Sequence, residues 1–111
     1  MSAHEFDSLE SLQQFIADQP ASLVYFSTPQ CNVCKVLKPK VVELLETRYP
    51  EVNFVYSDVA KIPEIAAQMS VLTVPTLVLY FDGRESARFV RNFSLGELES
   101  AIERPYSMIF G

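Results

Sequence analysis

Two short runs, "ASLVYF" at 21–26 and "TLVLYF" at 76–81, constrain this chain more than any other feature. The first is entered from Pro20 and left through Ser27, Thr28 and Pro29. It is too short for an ordinary helix, and its unbroken apolar character reads as a strand buried on both faces. Such a strand needs other elements packed over it on each side.

The covering elements are legible around the two runs. "DSLESLQQFIADQ" carries Leu9, Leu12, Phe15 and Ile16 at helical spacing, with Asp7 and Glu10 placed as a capping box. From Cys31 to about Tyr49, the positions Val33, Leu37, Val41, Leu44 and Leu45 repeat with helical period. Pro39 lies inside this second helix, removes one backbone donor and predicts a kink near residues 35–39. "VNFVYSD" at 52–58 alternates as a strand, and "IPEIAAQM" at 62–69 gives a short helix.

Asp82 and Gly83 form a turn between the strand at 76–81 and another around 85–90, so this part reads as a hairpin. Ser94 and Glu97 form a capping box, with Phe93 and Leu98 as its hydrophobic staple, and Leu98 and Ile102 share one face of the helix that follows. The order is helix, strand, helix, strand, helix, strand, strand, helix. Alternation implies parallel pairing of the central strands, and the hairpin adds an antiparallel edge. The expected fold class is therefore α/β, with a central mixed four-stranded sheet flanked by helices and residues 1–111 in a single domain.

Composition bounds the function. At 111 residues and 49% hydrophobic content the chain can bury one core without staples. A net charge of −5 and a pI near 4.8 argue against nucleic acid and against an anionic membrane face, both of which call for a basic patch. Lys35, Lys38 and Lys40 fall on different sides of one predicted helix and do not make such a patch. The N-terminus lacks a basic stretch followed by an apolar one, and no segment approaches the roughly 20 apolar residues that span a bilayer. The expectation is a soluble, cytoplasmic protein without a cofactor.

"FSTPQCNVCK" contains the only cysteines, Cys31 and Cys34. With Cys31 at the first turn of the second helix, its sulfur faces unsatisfied amides and the positive end of the helix dipole. In such settings a thiol pKa near 8.5 falls to roughly 3.5–7.5, which supplies a nucleophilic thiolate at neutral pH. Cys34 lies one turn on, on the same face. Cβ atoms three residues apart on a helix are about 5–6 Å apart and a disulfide needs about 3.5–4.5 Å, so a small adjustment closes the bond. Exchange in two steps follows, with Cys31 attacking a substrate disulfide and Cys34 resolving the intermediate.

Other readings of the pair are weaker. A buried cysteine is commonly a small hydrophobe, but two at this spacing beside a helix start argue otherwise. Structural zinc takes four ligands, and the chain offers two cysteines and one histidine, His4, near a solvated end. The same histidine is a poor base for cysteine-protease chemistry.

From about Ser22 to Ile102 these residues resemble the thioredoxin family. "LVYFSTPQCNVCK" is similar to that family's strand, loop and cysteine pair, Pro39 falls where its second helix kinks, and "SDV" followed by "IPEIAAQMSVLTVPTLVLYFDGRE" resembles its central segment. A CxxC alone is a weak signal, whereas one followed by "VPT", an apolar strand and "DG" is strong. The resemblance implies a thioredoxin-like fold and a thiol–disulfide oxidoreductase with Cys31 as nucleophile and Cys34 as resolving thiol. It also implies a cis Pro75, with Val74 and Thr76, as a substrate-binding ledge where an extended segment adds as a short strand. The implied partners are disulfide-containing proteins and an electron-donor reductase. The alternative is a thioredoxin-like binding or redox-sensing module with little turnover, to which the apolar tail "PYSMIFG" could contribute a surface, against the plainer account that the tail packs back on its own domain.

The chain departs from the family at several places. Gln30 and Ser27 stand where tryptophans are usual, and the chain has no tryptophan. Asn32 and Val33 replace Gly-Pro between the cysteines, Arg91 replaces a glycine, and Tyr25 and Phe54 align with a buried acid and its lysine. Without the acid, Asp58 is the candidate proton acceptor for Cys34, against a plainer role as a loop residue; Tyr25 and Phe54 read as core packing that removes two buried charges together.

Overall fold

The computed structural model describes residues 4–111. In chain order the elements are α1 (Leu9–Asp18), β1 (Ala21–Ser27), α2 (Asn32–Arg48), β2 (Asn53–Asp58), α3 (Pro63–Gln68), β3 (Thr76–Phe81), β4 (Arg84–Val90) and α4 (Leu95–Phe110). The four strands form one sheet in the order β2-β1-β3-β4. β1 runs parallel to β2 and antiparallel to β3, and β3 runs antiparallel to β4. This is the mixed sheet expected from the alternation of elements.

Every residue of β1 and β3 is buried, and the reason is visible in how the core divides. Leu23, Tyr25, Leu77 and Leu79 point to one face and pack with Val41 and Leu45 of α2 and Leu98 and Ile102 of α4. Val24, Phe26, Val78 and Tyr80 point to the other and pack with Leu12 and Ile16 of α1 and Ile65 of α3. Successive side chains of a strand alternate in direction, so two helical layers account for two unbroken apolar runs.

The hairpin turn places Asp82 and Gly83 at φ 54° and 78°, the left-handed pair favoured in two-residue hairpin loops. Gly83 is favoured by its positive φ, which a side chain would strain.

One boundary differs from expectation. Ser8, not Asp7, caps α1, its hydroxyl accepting from the Ser11 amide at 3.2 Å. α2 runs through Pro39 to Arg48, as expected, and the proline leaves the Lys35 carbonyl without its usual helical donor. α4 likewise continues through Pro105 to Phe110. The tail folds back on its own domain: the Tyr106 ring lies 5.1 Å from Tyr49 and 4.7 Å from Phe110. His4 pairs with the outer edge of β2, donating to the Phe54 carbonyl at 3.0 Å and accepting from the Tyr56 amide at 2.8 Å.

Candidate active site

β1 ends at Ser27, and a short loop delivers the chain to α2. The loop is fixed by the Cys31 amide, which donates to the Thr28 carbonyl at 3.2 Å. Cys31 is the N-cap itself, one position ahead of the first turn, and its sulfur accepts from the Cys34 amide at 3.2 Å. The sulfur thus occupies the place where a serine or aspartate oxygen usually satisfies a helix start.

The two cysteines are joined as a disulfide with their Cα atoms 5.2 Å apart, within the range that needs no backbone movement. They differ in access. Cys31 is partly exposed, whereas Cys34 is 2% exposed and packed in the core between the sheet and α2.

Beneath the pair, the Tyr25 hydroxyl donates to the Cys34 carbonyl at 2.8 Å. Burial, with a smaller contribution from Tyr56, pushes this phenol far above its ordinary range, so it stays protonated. Tyr25 is therefore a fixed donor and not a base. Its ring lies 5.7 Å from Phe54 and 6.3 Å from Tyr56, and the Lys38 ammonium sits 4.4 Å over the Tyr56 ring. The two positions where the resemblance implies a buried ion pair hold aromatic packing with one hydrogen bond, and no charge is buried there. Reading Tyr25 as core packing alone missed that bond. The signal available was a phenol in a strand otherwise without partners for it, since a buried hydroxyl must find one.

Asp58 lies opposite Ser27 at the end of β2. Its carboxylate accepts from the Ala60 amide at 2.9 Å and the Lys61 amide at 3.3 Å, and it borders a cleft with Phe6, Ser11 and Ile62. These bonds close the loop after β2, the plainer of its two expected roles.

The Val74–Pro75 bond is cis. Thr76 opens β3 opposite Phe26, at the end of β1 from which the cysteine loop departs, and its hydroxyl donates to the Thr73 carbonyl at 2.7 Å. Val74 packs against the same core cluster as Cys31. The Pro75 carbonyl accepts from the Arg91 amide at 3.0 Å, which ties the segment after β4 to the ledge. The fold therefore gathers the predicted site residues Cys31, Cys34, Val74, Pro75 and Thr76 at one end of the sheet.

Sequence reasoning placed Val33 on the apolar face of the second helix, but it is 53% exposed, and Val36 is 62% exposed. Leu72, just ahead of the cis bond, is 97% exposed. Helical period alone could not show that the start of α2 leaves these two valines uncovered while it buries Cys34. No group of three or more His, Cys, Asp or Glu side chains that could hold a metal ion occurs among the described residues, and no helix among them is long and apolar enough to cross a membrane.

Residues 4–104 match the family model for thioredoxin. The chain is 33% identical over 104 residues to a thioredoxin-like protein, YdfQ, of Bacillus subtilis, covering 94% of this chain and 92% of that one. It is 33% identical over 88 residues to thioredoxin-1 of Saccharomyces cerevisiae, covering 79% of each. The crystal structure of oxidised mitochondrial thioredoxin 3 from the same yeast superposes with a TM-score of 0.82 at 28% identity, covering 91% of this chain and 93% of that one.

Proposed function

Because the chain belongs to the thioredoxin family, and is accordingly a thiol–disulfide oxidoreductase, we propose that its reaction runs through Cys31 as attacking thiolate and Cys34 as resolving thiol. The observation that carries these roles is the unequal access of two bonded cysteines, one at a partly exposed helix cap and the other 2% exposed. Only Cys31 can be approached by a substrate disulfide. Its cap position supports ionisation in the dithiol form, because the Cys34 amide and the helix dipole favour a negative acceptor.

In the first step the Cys31 thiolate attacks one substrate sulfur, the substrate disulfide breaks, and the departing thiolate takes up a proton. In the second the Cys34 sulfur, giving its proton to water, attacks Cys31 and expels the second substrate thiolate. Two electrons pass from the dithiol to the substrate, and the Cys31–Cys34 bond is the oxidised product. Val74, Pro75 and Thr76 form the ledge along which the substrate backbone lies. Tyr25 is a positioning residue: it anchors the Cys34 carbonyl while the bond between the sulfurs opens and closes.

We read the direction as reduction of protein disulfides in a reducing, cytoplasmic setting, with a reductase restoring the dithiol. A chain with two cysteines at exchange spacing and no disulfide framework supports that reading. The test is turnover of a protein disulfide with dithiothreitol as electron source, together with single-cysteine variants. Cys34→Ser should accumulate mixed disulfides through Cys31, and Cys31→Ser should not. Equal trapping by both variants would contradict the assignment.

A further inference from the structure

Arg91 adopts φ 52°, a left-handed conformation that costs a residue with a Cβ on the order of 1–2 kcal/mol and that glycine takes readily. What the fold needs from this position is the amide that bonds Pro75 at 3.0 Å. Any residue but proline supplies such an amide, so the backbone gives no reason for the guanidinium.

The surroundings do. Val33, Val36 and Leu37 of α2 face Phe93 across a groove of about 440 Å³, whose lining also includes Lys40 and Arg91. Val33 stands between the two cysteines, and Arg91 is bonded to the Pro75 carbonyl, so the groove continues from the site of exchange. Among the described residues lining it none is acidic, although the whole chain carries a net charge of −5. Two cations flank an uncovered apolar trough on an otherwise acidic protein.

We propose that this groove selects disulfide substrates whose reacting cysteine is flanked by an apolar residue and a carboxylate. The apolar side chain sits against Val33, Val36 and Phe93, and the carboxylate pairs with Arg91, with Lys40 as the second cation. A guanidinium suits this task because its planar fork can bind a carboxylate through two parallel hydrogen bonds. The inference rests on the assignment of Cys31 as the attacking sulfur.

The test uses three peptide disulfides that share a leucine beside the cysteine and differ only in carrying Glu, Gln or Lys at the next position. kcat/KM is measured for the unmodified protein, Arg91→Gly and Arg91→Gln with dithiothreitol regeneration, each ratio being divided by that for dithiothreitol alone to remove intrinsic reactivity. The glycine variant relaxes the backbone, and the glutamine variant keeps a side chain there without charge. The unmodified protein should prefer Glu over Gln by about fivefold, the upper end for an exposed pair, with Lys lowest. In both variants the Glu preference should collapse towards one. Equal use of Glu and Gln by the unmodified protein, or a preference that survives both variants, overturns the inference while leaving the oxidoreductase intact. Failure to turn over any of the three peptides removes the Cys31 assignment itself and this inference with it.

Discussion

At the start of α4 the Ser94 hydroxyl accepts from the Glu97 amide at 3.1 Å, and the Glu97 carboxylate accepts from the Ser94 amide at 2.9 Å. At the start of α2 the Cys31 sulfur accepts from the Cys34 amide at 3.2 Å, and no acidic residue stands in the first turn. The backbone requirement is the same in both places, since each helix begins with amides that lack intrahelical partners. α4 meets it with a hydroxyl and a carboxylate, which also offset the positive end of the dipole. α2 meets it with one sulfur, a weak acceptor as a thiol and a good one as a thiolate. Its field is left for the cysteine to answer, so the helix gains most from its cap when the cap is ionised. On the proposed role of Cys31, one start is built for stability and the other for reactivity.

The comparison can be attacked at three points. Tyr25→Phe removes the donor that supports α2 from the sheet and leaves the Cys34 carbonyl short of a buried partner. Denaturant unfolding of the reduced protein should show a loss of about 1–3 kcal/mol. A neutral result would mean that water replaces the phenol and that α2 is not held from below. Ser94→Ala should cost about 1 kcal/mol by the same measurement and leave the acidity of Cys31 where it was. If the thiol also shifts, the two helix starts are coupled and the contrast between them fails. Asn32→Asp places a carboxylate in the first turn of α2 and so makes that start resemble the other. The Cys31 pKa, followed by thiolate absorbance, should rise by about 0.2–0.7 unit, from a dipole-scale interaction of about 0.3–1 kcal/mol. A fall would show that the local charge does not control the thiol.

Legibility in the sequence followed the range of the forces involved. β1 and β3 were readable because an unbroken apolar run has few ways to be buried, and the α4 capping box because its two residues are three apart. The cap of α1 moved from Asp7 to Ser8 because a serine and an aspartate side by side offer nearly equal acceptors, and only the path of the chain chooses between them. The continuation of α4 past Pro105 carries Tyr106 against Tyr49, a contact between distant segments that periodicity does not register. Cys31, Cys34 and the ledge at 74–76 were nominated from local spacing and from family resemblance. The groove beside them was not, because Val36, Lys40, Arg91 and Phe93 meet only after α2 has been laid beside the segment that follows β4.

The sheet has two outer rims, and neither is left bare. Along β2 the chain's own beginning intervenes, since His4 engages the main chain of Phe54 and Tyr56 on the side away from β1. Along β4 the exposed residues include Arg84 and Glu85, and the pairing with β3 slips between Leu79 and Tyr80. Charge and irregularity of this kind discourage another molecule from extending the ladder. The exposed apolar side chains of the helices, Val33 and Val36 on α2 and Met108 and Ile109 at the end of α4, lie off the strand rims, so crowding should bring copies together through side chains and not convert them into fibrous aggregates through the backbone.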